Sequence, residues 1–162
     1  MTADRGQETA TSAAAYWRRF LATLPPDSPL RHKIYAAEPF GDSPKLADEL
    51  GALVLAGAKT ATCSALWAYE AEKEPLPQVE DLWVVLDGRD QPLCIVETTE
   101  VSIRAFEQVD ARFAWEEGEG DRSLDYWRRA HWDFFSRTLP RIGKEPATDM
   151  PLVCERFRVI FR

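Results

Sequence analysis

The sequence predicts an α+β fold built on a small, mostly antiparallel β-barrel with flanking helices. Three observations carry that prediction. Strand-like runs rich in β-branched and apolar residues stand at 60–66, 82–87, 93–105 and 152–161. The helical segments between them do not alternate strand by strand, as a parallel βαβ fold requires. The turn GRDQP joins the second and third runs as an antiparallel pair.

At 162 residues the chain is within single-domain range and long enough to bury roughly two-thirds of the surface its unfolded form exposes. Apolar residues make up 45% and charged residues 29%, a globular balance far from that of disordered chains. The longest apolar runs, LWVVL and LCIV, are too short to span a bilayer, and MTADRGQETATS lacks the apolar core of a signal peptide. A cytoplasmic protein away from membranes is the expectation. Cys63, Cys94 and Cys154 have no metal-ligand spacing, so reduced thiols are expected and no metal or other cofactor is assigned.

Residues 1–12 are small and polar and read as a loose tail. AAAYWRRFLATL at 13–24 places Trp17, Phe20, Leu21 and Leu24 on one side of a short accessory helix, which PPDSPL ends. Residues 1–30 are therefore set apart from a main domain at 31–162. Ser43 as cap, Pro44 at the first helical position and the spacing of Leu46, Leu50, Leu53 and Val54 predict the next helix, with Gly57 as its left-handed stop. A strand then starts near Thr60, leaving Lys59 at the junction. Residues 67–81 read as a helical turn and loop. LWVVLD and LCIVETTEVSIRAF form the centre of the sheet, a short helix covers FEQVDARFAW, and the strongest helix runs from Ser123 to about Leu139. LVCERFRVIF closes the chain as a strand. Glu155 falls on its apolar face, where a buried carboxylate needs a partner, and is read as structural.

Three places could carry chemistry. Lys59 precedes Thr60, Thr62 and Ser64; a lysine becomes a general base when its pKa is lowered, and a hydroxyl nucleophile needs such a base within reach. On a straight strand Lys59 and Thr62 would face opposite sides, so they converge only if Lys59 lies in the turn. The plainer reading is a polar strand edge beside a solvated lysine. EEGEGD crowds Glu116, Glu117, Glu119 and Asp121, and crowded carboxylates push one pKa upward; otherwise this is a solvated acidic loop. On the last helix His131 shares a face with Trp127 and Phe134, the pattern of a packed core histidine as much as of a catalyst, while Arg128 suits a phosphate and an aromatic a base.

The net charge of −7 argues against broad non-specific attachment to nucleic acid, although residues 122–141 carry five arginines against two acids. A local site for one nucleotide or a short RNA remains compatible with it, and no DNA specificity is inferred.

FGDSPKLADELGALVLAGAKTATCSA, CIVETTEVSI, FAWEEGEGDRSLDYWRRAHWDFF and VCERFRVIF, in this order, resemble the bacterial ASCH-domain family over residues 31–162. That family is similar to PUA-type RNA-binding domains, which implies a small barrel, flanking helices and a cleft. Some members resemble ribonucleases; smaller ones are amidohydrolases that deacetylate N-acetylated cytidine with a lysine, a threonine and a glutamate. The resemblance maps these onto Lys59, Thr62 and Glu119, with Glu117 as the other acid and Gly57 in the motif. Thr60, Ser64, Glu117, Arg128, His131 and Trp132 are candidate substrate-binding residues, with Trp115 a second aromatic for stacking. An RNA- or nucleoside-directed hydrolase follows, acting on an N-acylated cytidine or a similar nucleoside, with Lys59 taking the proton of Thr62. A ribonuclease in the same cleft and a non-catalytic RNA-binding module are the alternatives.

Overall fold

The computed structural model describes the backbone of residues 2–162 and the side chains of 12–162. Among the described residues, five α-helices accompany a curled, mixed, five-stranded sheet that forms a half-barrel. The helices are α1 (Thr2–Ala22), α2 (Pro44–Leu55), α3 (Leu66–Glu72), α4 (Ala111–Glu117) and α5 (Leu124–Thr138). The strands are β1 (Tyr35–Pro39), β2 (Ala61–Ala65), β3 (Leu82–Leu86), β4 (Pro92–Ala105) and β5 (Pro151–Phe161), ordered β1-β3-β4-β5-β2. β3 pairs antiparallel with β4, and β2 with β5; β1 runs parallel to β3.

β1 is absent from the sequence expectation. Its residues, YAAEP, combine two alanines with a terminal proline and give almost no strand signal; pairing with β3 supplies what propensity does not. α1 begins at Thr2, within the stretch read as a loose tail, and the side chains of 1–11 lie outside those described.

The chain divides into two compact units, 1–55 with 80–97 and 158–162, and 56–79 with 98–157. In the first, Tyr16, Trp17 and Phe20 of α1 are buried with Leu82, Val84, Leu86 and Ile95. The Trp17 ring stacks on Tyr35 at 4.5 Å, and Tyr16 meets Phe161 edge-on at 5.3 Å. The helix that looks accessory in sequence thus buries its apolar face on its own chain, where each large side chain contributes about 1.5–3 kcal/mol.

The second unit has a core of Ala61, Ala65, Phe106, Phe113, Trp127, Phe135, Met150, Leu152 and Cys154, among others. Helical spacing puts Trp127, His131 and Phe135 on the buried side of α5. Ser123 caps that helix by accepting the Tyr126 amide at 3.1 Å. No helix among the described residues is long and apolar enough to cross a membrane.

Candidate functional site

The site begins where α2 stops. Gly57 adopts φ +76°, the chain reverses, and Lys59 enters just ahead of β2. Opposite it lies the end of α4, which is capped by Asp110, whose carboxylate accepts the Phe113 amide. α4 ends at Gly118, φ +76°. A Cβ there would stand 2.3 Å from the Ala58 carbonyl oxygen, so the position requires glycine for both conformation and space. The Thr60 amide donates to the Glu116 carbonyl at 2.7 Å, tying the two segments together. Glu117 and Glu119, on either side of the glycine, are thereby both brought to Lys59.

The Lys59 ammonium donates to Glu117 Oε2 at 2.9 Å, Glu119 Oε1 at 3.2 Å and the Ala61 carbonyl at 2.9 Å. Its side chain is 1% exposed, as is that of Glu117; Glu119, at 18%, is the member that solvent reaches. Glu117 Oε1 accepts the Trp127 indole N–H at 3.1 Å and lies 3.4 Å from His131 Nε2. The His131 ring stacks on Trp127 at 4.2 Å, and its Nδ1 sits 2.9 Å from the Trp127 carbonyl. Both ring nitrogens thus face acceptors, which favours the doubly protonated imidazolium. Buried Lys59, His131 and Glu117, with partly exposed Glu119, make a set of four charges that sums to zero.

The titration directions agree with this geometry. Burial alone would lower the Lys59 pKa, but the charges of Glu117 and Glu119 and their hydrogen bonds raise it above the ordinary lysine value. Burial would raise Glu117, and the charges of Lys59 and His131 hold it well below the carboxylate range instead. For His131 burial opposes the charge and Glu117 wins, raising its pKa. Lys59 is therefore a fixed cation, and the role of base for Thr62 that the sequence suggests for it does not fit this environment.

Thr62 occupies the middle of β2 with Glu155 as its cross-strand partner. Alternation sends Thr62 and Ser64 to the face opposite Cys63, whose thiol lies near Glu117 and His131. Thr98 Oγ1 donates to Glu155 Oε1 at 3.3 Å on Thr62's face. The Thr60 carbonyl accepts from the Phe157 amide of β5, so the Ala61 carbonyl points to the open edge of β2, where the Lys59 amine meets it. Thr62 thus projects from one face of the edge strand, while the ammonium meets the strand at its open edge, on the Ala61 carbonyl.

The other expected residues are distributed more widely. Thr60 is exposed, with its hydroxyl on the Glu116 carbonyl. Glu116 accepts from Arg112 at 2.9 Å and Arg156 at 2.6 Å and takes no part in the Lys59 cluster. Arg128 and Trp132 line a separate pocket of about 420 Å³ on the outer side of α5. Arg122 lies 3.8 Å over the Trp115 ring and donates to the Trp115 and Ala58 carbonyls, bracing the loop that carries Glu119. The indole N–H of Trp127 and the Ala61 carbonyl escape sequence reading. The spacing of Trp127 and His131 hints at a shared face, but nothing local points to Glu117.

Cys63, Glu117 and His131 could present ligand atoms within 4.8 Å of one another. Both Glu117 oxygens are already engaged by donors and the Lys59 ammonium adjoins them, so this donor set opposes a cation as it stands, and no metal is assigned.

A curled half-barrel with a lysine and paired acids at an edge strand defines an α+β domain of PUA-like fold. The ASCH domain model matches residues 36–161, and the chain belongs to the ASCH-domain family. The family is RNA-associated in general. The crystal structure of an ASCH domain from Lactobacillus crispatus JV V101 is 35% identical, with a TM-score of 0.89 over 94% of this chain and 96% of that one. A protein from Enterococcus faecalis V583 is 37% identical, with a TM-score of 0.82 over 94% and 90%. No curated protein matches the chain.

Proposed function

We propose that the chain is a nucleoside- or RNA-directed hydrolase that removes the acyl group from an N-acylated cytidine or a similar nucleoside. One observation carries the reading: the Lys59 ammonium lies 3.2 Å from Glu119, the solvent-reached carboxylate of an otherwise buried cluster. A fixed cation beside a reachable carboxylate is the pairing that amide cleavage needs, since it stabilises the developing oxyanion and moves a proton at one place.

Lys59 polarises the amide carbonyl, and Glu119 accepts a proton from the water that attacks the acyl carbon. The C–N bond then breaks and Glu119 returns the proton to the exocyclic amine. The acyl group leaves as a carboxylic acid that keeps the oxygen of the attacking water. Glu117 and His131 hold Lys59 charged and in position.

Purified protein incubated with N-acetylcytidine should release cytidine. Glu119→Gln should cost roughly 10²–10⁴-fold in kcat. If the wild-type protein leaves the acetyl group in place, the reading fails. If Glu117→Gln is inactive while Glu119→Gln is not, the proton carrier is Glu117.

A further inference from the structure

The outer pocket of α5 takes no part in the chemistry above. Phe106, Arg128, Arg129, Trp132, Asp133 and Ser136 line it, and none of them belongs to the cluster of Lys59, Glu117, Glu119 and His131. Helical geometry explains the separation: residues 127, 131 and 135 face the core, and residues 128 and 132 are each one step round from them. Trp132 keeps 38% of its surface exposed while Phe106 braces it edge-on at 5.5 Å. The one carboxylate in the lining, Asp133, is paired with Arg137. Arg128 forms no ion pair with a described residue, and Arg129 acts on Asp121 only through its field.

We propose that this pocket binds a nucleotide of a single-stranded RNA, with Trp132 stacking the base and the Arg128 and Arg129 guanidinium groups meeting the phosphodiester. Charge complementarity selects the occupant: two arginines converge on one small hollow in a chain of net charge −7, beside an exposed indole. Stacking plus guanidinium contact is how single strands are held without reading sequence. Phosphate contact gives a linked nucleotide an advantage over a free nucleoside. The inference rests on the nucleoside-directed reading for its substrate class and adds a linked nucleotide to the free nucleoside as a ligand.

The test is fluorescence anisotropy of a 5′-labelled single-stranded hexacytidylate with the full chain, titrated across about 50–200 mM salt. Arg128→Ala should weaken binding and make the salt slope shallower by about one contact. Trp132→Ala should weaken it roughly tenfold with the slope unchanged. Both side chains lie on the surface side of α5, so wild-type melting by circular dichroism qualifies each variant, and Trp132→Gln replaces Trp132→Ala should the latter not fold. A duplex of equal length, whose bases are already stacked, and a polyglutamate peptide should both compete poorly. The proposal is overturned if the wild-type chain does not bind the hexamer, if either variant binds as tightly as wild type, or if duplex or peptide competes equally. The measurement reads binding alone, so its failure and a failure to deacetylate N-acetylcytidine are separate results.

Discussion

Lys59 shows how far burial and partners can reverse what a side chain offers. An amine at a strand entrance reads as a potential base. Enclosed by Glu117, Glu119 and the Ala61 carbonyl, it is a fixed cation. Removing the charge in Lys59→Met leaves Glu117 buried without its ammonium, so the variant should lose about 3–5 kcal/mol in urea unfolding, the usual cost of breaking a buried pair from one side. The pH profile of stability follows from the same contacts. Glu117 is lowered from 4.5, so it contributes above that value and the contribution is lost as pH falls through the lowered one. His131 is raised from 6.5, so its contribution is complete below 6.5 and is lost as pH rises through the raised value. Lys59, raised from 10.5, persists to higher pH still. Unfolding free energy should therefore peak between 4.5 and 6.5. His131→Gln should flatten the decline on the alkaline side; an unchanged slope would show that the imidazolium contributes nothing.

At the scale of elements, the loop between α4 and α5 assembles the site. Gly118→Ala must fit a side chain at φ +76° against the Ala58 carbonyl. It should cost about 1–3 kcal/mol, seen as a lower Tm, and should reduce turnover of N-acetylcytidine by displacing Glu119. The sequence made several elements legible. Ser43 and Pro44, Gly57, and Ser123 with its helix carry local stop and start chemistry that survives folding. β1 was not legible, because a strand of two alanines and a proline exists only through β3. The cluster was legible as two separate halves, Lys59 with its hydroxyl neighbours and the acidic loop. Their meeting spans 58 residues, and no periodicity encodes a contact of that range. The function of Trp127 was hidden as well: its place on a core face is visible in the spacing, but its indole N–H on a carboxylate is not.

Across the whole molecule, charge sets what can approach. The net charge of −7 repels a long polyanion over most of the surface while the arginines of 122–141 remain a local exception. Double-stranded RNA should accordingly bind more weakly than the 10⁻⁴–10⁻⁶ M typical of non-specific nucleic-acid proteins at physiological salt, as filter binding would measure. Binding within that range would mean that the distribution of charge outweighs its sum. The family resemblance and the strand pattern both anticipated an α+β fold on a small, mostly antiparallel barrel with flanking helices, since each depends on features spread over the whole chain. The balance of four charges at Lys59 has a further consequence for descent. Loss of Lys59 or Glu117 leaves an uncompensated charge in the interior, so substitutions there are tolerated chiefly in opposite-sign pairs. Among relatives, lineages that give up Lys59 should have given up one of its acids too, and a tally of paired losses would record the cluster's energetics as history.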